Sequence, residues 1–194
     1  MDIKQAVNFI FELNHLKMQK HSGWYLAGIS NPPSIAEHTL RASQIGYILG
    51  IMEKADAEKI AAMLIIHENG EARIGDQTKV SARYYNKKEA ENNAFNDQLK
   101  CLGVEIEEKW KQYFNEFEER NTKEGIIAID ADWLETAFRG KEYLDLGYNT
   151  IDWINNVEKA LETESAKALL QEMKNTKFTD WWKDLKKMTY TKLT

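Results

Sequence analysis

The chain has 194 residues, 43% hydrophobic and 11% aromatic, with a net charge of −5 at pH 7. That is enough apolar volume for a buried core and too much for a disordered chain. The mild acidity argues against a nucleic-acid polymer as partner, since such ligands select a basic face, but leaves room for a small anionic substrate served by a metal ion.

One cysteine, Cys101, rules out an intrachain disulfide and suits a reducing compartment. The opening Met-Asp-Ile-Lys-Gln is not a signal peptide. No apolar run nears the roughly 20 residues needed to span a bilayer. The expectation is a cytoplasmic protein without a membrane partner, forming a single domain over residues 1–194.

Only two prolines occur, Pro32 and Pro33, and the long stretches around them carry apolar residues at helical spacing. This predicts an all-α fold, a bundle of about six or more helices. The first helix is expected over 3–18, with Ile3, Ala6, Val7, Ile10 and Leu13 on its apolar face. A polar loop follows over about 20–33. Ser34 with Glu37 three residues later reads as a capping box. Behind it, Ile35, Ala42, Ile45, Leu49 and Met52 form a stripe that includes His38. A third helix runs from Asp56 to His67. Gly70 and Gly75 interrupt the segment 68–86. Further helices are expected over 87–101, 104–119, 123–139 and 150–174, and Phe178 to Leu185 reads as a last docked helix. Trp153, Trp181 and Trp182 read as core or dimer surface.

Two histidines then stand out. A buried imidazole must find partners for its ring nitrogens, and taken alone each of His38 and His67 reads as a core histidine bonded to a carbonyl. Together, each beside a carboxylate on neighbouring helices, they suggest a divalent metal site, because neutral imidazole and carboxylate are the usual ligands of such ions. His67-Glu68 offers two adjacent donors, and Glu71 follows one turn later. Farther on, Asp132, Glu135 and Arg139 make a narrow polar stripe on an apolar helix. The bland account of that stripe is a solvated Arg–carboxylate pair. Asp130, inside the same apolar run, competes with Asp132 as a ligand on spacing alone.

The motifs Ser-Gly-Trp (22–24), Asn-Pro-Pro-Ser-Ile-Ala-Glu-His (31–38), His-Glu-Asn-Gly-Glu-Ala-Arg-Ile-Gly-Asp (67–76) and Ala-Asp-Trp-Leu-Glu (131–135) together resemble the HD-domain metal-dependent phosphohydrolases. The resemblance is to their 5′-deoxynucleotidase branch, which includes HD-domain-containing protein 2, and it covers about residues 5–145. It implies a metal set of His38, His67, Glu68 and Asp132, choosing Asp132 over Asp130. It implies catalytic roles for Glu71 and Asp76, and substrate contacts from His21, Trp24 and Asp76. The cofactor implied is one divalent ion, among Co, Mn, Zn, Fe, Ni and Mg. The substrate implied is a nucleotide, and the assembly a homodimer.

Two positions depart from that pattern. Glu68 replaces the expected aspartate and reaches roughly 1.5 Å further. His21 replaces an arginine and brings neither a permanent charge nor a bidentate fork. The leading expectation is a 5′-nucleotidase. The alternatives are an HD-type hydrolase of a triphosphate, cyclic nucleotide or alarmone, or a non-catalytic nucleotide- or protein-binding module with a degenerate metal site. Lys79 and Arg83, the basic residues that could serve additional phosphates, read as surface charges.

Overall fold

A computed structural model describes residues 2–185. Nine α-helices occur among them: α1 (Ile3–Met18), α2 (Ile35–Met52), α3 (Ala57–Ile66), α4 (Glu71–Ile74), α5 (Lys87–Leu99), α6 (Val104–Glu119), α7 (Lys123–Asp145), α8 (Ile151–Ala160) and α9 (Glu164–Asn175). No sheet is present among the described residues; Lys20 and Ser34 form an isolated antiparallel bridge that closes the loop between α1 and α2.

Helix starts follow local chemistry. The Ser34 hydroxyl accepts from Glu37 N–H at 3.2 Å, and Glu37 Oε2 accepts from Ser34 N–H at 2.6 Å, completing the capping box of α2. Asp56 caps α3 through Lys59 N–H at 2.9 Å, and Thr122 caps α7 through Gly125 N–H at 3.1 Å. Each cap satisfies an amide that the helix itself leaves without a partner.

The centre of the molecule is the packing of α2, α3 and α7. Ala42, Leu49, Ile60, Met63, Leu64, Ile127, Ala131 and Leu134 are sealed between them. The backbones of α2 and α3 approach closely. A Cβ at Gly46 would collide with the Leu64 and Ile60 side chains, and one at Gly50 would lie 2.8 Å from Ala57 Cα. α8 and α9 close the far side of α7, and α6 covers α3 and α7.

Three expectations are corrected. The buried face of α1 is Ala6, Phe9, Leu13 and Leu16, while Ile3, Val7 and Ile10 are 77%, 44% and 65% exposed. The helix carries more apolar residues than one face holds, and Phe9, packed against Trp110 at 6.1 Å and sharing a core with Phe95 and Phe114, sets which face turns in. The segment 150–174 is two helices, because the amides of Glu162 and Thr163 leave the helix to bind Asp130. Phe178 to Leu185 holds only a 3₁₀ turn at Asp180–Trp182, with Trp181 75% and Leu185 72% exposed, rather than a docked helix. Residues after 185 in the C-terminal region lie outside the described residues.

Candidate metal centre

The site forms where α2, the end of α3 and the middle of α7 meet. His38 sits one turn inside α2 and is 1% exposed; His67 follows the last residue of α3 and is 8% exposed. Asp132 reaches in from α7 with a side chain 20% exposed. The nearest ligand atoms of His38, His67 and Asp132 all lie within 4.8 Å of one another.

Each imidazole is fixed by its outer nitrogen. His67 Nδ1 lies 2.7 Å from the Leu64 carbonyl oxygen, so Nδ1–H donates and Nε2 faces inward. His38 Nδ1 lies 2.7 Å from Glu135 Oε2. Glu135 is fully buried and is itself held by Arg41, whose Nε and Nη2 donate to Oε1 at 2.9 and 2.6 Å. A carboxylate behind a histidine orients the ring and raises its basicity as a ligand.

Among the described residues the inward nitrogens have no hydrogen-bond partner. His38 Nε2 and His67 Nε2 are both buried and make no well-aligned hydrogen bond, yet both stand within ion-pair distance of Asp132 Oδ1, at 3.0 and 3.7 Å. Two buried acceptors aimed past one another at a shared carboxylate fit a divalent cation, because unsatisfied buried polar groups are costly. Electrostatics agrees. Burial would lower the His38 pKa, but the Asp132 and Glu135 carboxylates hold it well above the ordinary histidine value. His67 is raised against its burial by Glu68 and Asp132. Burial pushes Asp132 up, yet the two imidazoles hold it well below the usual carboxylate range. Glu135 is likewise drawn down, to about 2, by His38 and Arg41. The pocket therefore concentrates negative charge that a cation can replace protons in balancing.

Glu68 stands at the rim. Its Oε1 lies 3.5 Å from His67 Nε2, and its carboxylate also falls in a second convergent group with Glu71 and Glu91. The extra methylene thus carries this carboxylate between the histidine set and the neighbouring acidic pocket. Glu71, 1% exposed on α4, has one oxygen 3.0 Å from Lys87 Nζ and the other, Oε2, buried without a partner. Burial, reinforced by the Glu68 charge, pushes its carboxyl up to about 10.

Asp76 accepts from the Ser22 amide at 2.5 Å and lies 3.5 Å from Lys87. It ties the turn carrying His21 to the end of α4. The His21 ring lies 4.7 Å from that of His38, its Nδ1 buried and unpaired; burial and then the His38 charge lower its pKa. His21, His38 and Glu135 form an overlapping ligand group, but both Glu135 oxygens are already committed, to His38 and Arg41. Trp24 is 1% exposed, stacked on Trp153 at 5.4 Å and edge-on to Tyr143 at 5.2 Å. It packs behind His21 and presents no open face for a base. Asp130 faces the other way, its carboxylate accepting from the amides of Glu162 and Thr163.

The bland account of the polar stripe, a solvated pair of Glu135 with Arg139, does not hold for Glu135. It is instead buried, and its arginine is Arg41; its i+3 spacing from Asp132 on an apolar helix was the available signal. Lys87 and Glu91 carried no signal, since they sit on a polar helix and meet the site only in space. Lys79 and Arg83 are exposed, as expected.

Among curated proteins, the chain is 28% identical over 138 residues to 5′-deoxynucleotidase HDDC2 of Dictyostelium discoideum, covering 66% of this chain and 72% of that one. It is 28% identical over 142 residues to 5′-deoxynucleotidase hdd1 of Schizosaccharomyces pombe, covering 71% of each. Among solved structures, a conserved hypothetical protein from Pyrococcus furiosus superposes with a TM-score of 0.74 at 27% identity, covering 88% of this chain and 99% of that one. The model of the HD domain matches residues 13–176, a span that includes every residue of the centre, and the chain belongs to the HD domain family.

Proposed function

We propose that this chain is a metal-dependent phosphohydrolase, a 5′-nucleotidase that releases phosphate from ribo- or deoxyribonucleoside monophosphates. One observation carries the reading. Two buried histidines are each anchored through Nδ1, and their unpaired Nε2 atoms converge with Asp132. The names of the two 5′-deoxynucleotidases support a nucleotide monophosphate as substrate.

His38, His67 and Asp132 would hold one divalent ion, with Glu68 as a fourth donor from the rim. Imidazole with carboxylate suits Mn, Fe, Co, Ni or Zn better than Mg. When bound, the ion supplies a Lewis acid that acidifies water and offsets charge on the phosphoryl oxygens. The protein's own groups do the rest. Glu71, its carboxyl protonated at neutral pH, gives its proton to the departing sugar oxygen. Its unpaired Oε2 is the oxygen free to do so. His21 borders the phosphate position beside His38, with Trp24 as the wall behind it. Asp76 holds the His21 turn in register through Ser22 and would orient the water or recognise the sugar.

The reading extends to one domain, a homodimer and a cytoplasmic setting. Leu40, Tyr47, Ile48, Ile51 and Ile65 leave an exposed uncharged face on α2 and α3, which suits a self-complementary interface. No helix among the described residues is long and apolar enough to cross a membrane.

The test is elemental analysis of the purified protein combined with phosphate release from a panel of nucleotides. The expected result is about one divalent ion per chain and release from monophosphates ahead of triphosphates and cyclic nucleotides. A protein that releases no phosphate with any added divalent ion overturns the reading. Glu68→Asp in the same assay measures what the longer side chain does to metal preference.

A further inference from the structure

Lys87 is the unexpected cation of this site. It occupies the first residue of α5, where the helix dipole disfavours positive charge, and it is only about a quarter exposed. Both features are unfavourable for a lysine unless something nearby offsets them. Three carboxylates do. Lys87 Nζ lies 2.9 Å from Glu91, 3.0 Å from Glu71 and 3.5 Å from Asp76. An ammonium has three donors and no acceptor, so it is matched to three acidic partners.

The three partners come from different places. Glu91 is on the same helix one turn away and anchors the ammonium from behind. Glu71 belongs to α4, and Asp76 to the loop after it. The approach of α5 that brings the ammonium in depends on a glycine: a Cβ at Gly70 would lie 2.9 Å from the Glu91 carbonyl oxygen. Without the ammonium, Asp76 and Glu91 would lose their shared counter-charge, and the buried Glu71, which holds its proton, would lose the hydrogen bond to Oε1 that sets its rotamer.

We propose, resting on the phosphohydrolase reading above, that Lys87 is a positioning residue whose ammonium gathers Glu71 and Asp76 into working geometry without touching the substrate. Fixing Oε1 of Glu71 turns Oε2 toward the reacting group. Fixing Asp76 holds the Ser22 amide, and with it the turn that carries His21. One side chain thereby sets both the proton donor and the phosphate edge of the pocket.

The test uses the full chain loaded with Mn²⁺, with two readouts on wild type, Lys87→Met and Lys87→Arg. The first is phosphate release from a deoxyribonucleoside monophosphate, separated into kcat and KM. The second is the crystal structure of each variant. Lys87→Met is expected to lower kcat about 100-fold, with a rise in KM smaller than the loss in kcat, and to displace the Glu71 carboxylate by about 1 Å or more. Lys87→Arg, which keeps charge but not shape, is expected to recover part of kcat. If Lys87→Met does not fold, Glu91→Gln loosens the same ammonium from behind and gives a smaller kcat loss of the same kind. A rise in KM at constant kcat overturns the proposal, because Lys87 would then be binding substrate. So do Glu71 and Asp76 carboxylates that stay in place in Lys87→Met, or a Glu91→Gln variant with kcat unchanged. The crystallographic readout needs no turnover, so a wild type that releases no phosphate defeats the phosphohydrolase reading while the role of Lys87 is still decided.

Discussion

Asp130 and Asp132 lie two residues apart on one helix, and they do opposite work. Asp130 is 1% exposed and closed: its oxygens take the amides of Glu162 and Thr163 at 3.1 and 2.7 Å and the Thr163 hydroxyl at 2.7 Å. It seats the start of α9. Asp132 lies beside two imidazole nitrogens that have no hydrogen-bond partner. A buried acid whose neighbours are all satisfied belongs to the architecture. A partly exposed acid beside buried nitrogens that lack a well-aligned hydrogen bond is suited to take up a ligand. The two residues look alike in sequence, and only the state of their neighbours separates them.

The contrast makes unequal demands on mutants. The largest effect is expected at the centre: His67→Ala should remove the bound metal and with it about 1,000-fold or more of phosphate release, while circular dichroism and the unfolding midpoint of the metal-free protein stay near wild type. Retained metal at full stoichiometry would break the assignment. Asp130→Ala should do the reverse. It strands two amides and a hydroxyl, and should lower the stability of the metal-free protein by about 2–3 kcal/mol in urea titrations, with the metal content of the folded fraction intact. Loss of metal without loss of stability would exchange the two roles.

Between these extremes stands Glu135, which is buried like Asp130 but serves the site through His38. Glu135→Gln should weaken metal binding about 10–100-fold in a chelator competition. Unchanged affinity would class it with Asp130.

The smallest effect lies outside the histidine–carboxylate cluster. Glu116, at the end of α6, is pushed up by burial but drawn below the usual carboxylate range by Lys59, Gln112 and Thr122. A carboxylate with a depressed pKa in the folded state contributes stability that is present above the ordinary value and lost as pH falls through the folded value. Unfolding measured from neutral pH down to about 4 should therefore show an acid limb that Glu116→Gln flattens, at a loss of about 1 kcal/mol near neutrality. An acid limb identical in the two proteins would show that this cluster adds nothing to pH-dependent stability.

Much of this was legible in the chain because it is local. The Ser34–Glu37 capping box, the buried stripe of Ile35, His38, Ala42 and Leu49, and the end of α3 at His67 are all written within one helix and its cap, while Met52, expected on the same stripe, is 46% exposed. The resemblance added the preference for Asp132, and the geometry around that residue supports the same choice. What was not legible depends on partners distant in sequence. The break between α8 and α9 has no proline or glycine to announce it; Asp130, more than thirty residues earlier, supplies the hydrogen bonds that make it. α7 runs on to Asp145, past the expected end at 139, and α8, later in the chain, packs along it. Lys87 draws its meaning from residues 71, 76 and 91 together, and no single window of sequence holds that pattern. Trp24 lies behind His21 because Trp153, from α8, already occupies its face.

The glycines of α2 have one more consequence. With Gly46 and Gly50 pressed onto α3, the separation of the helices that carry His38 and His67 is fixed by main chain and core atoms rather than by long side chains. The two imidazoles therefore act as the jaws of a caliper set to one opening. On the proposed ligand set, an ion of larger or smaller radius would have to be met by rotation of the partly exposed carboxylates of Asp132 and Glu68, so these two acids, more than the histidines, would tune the choice among metals.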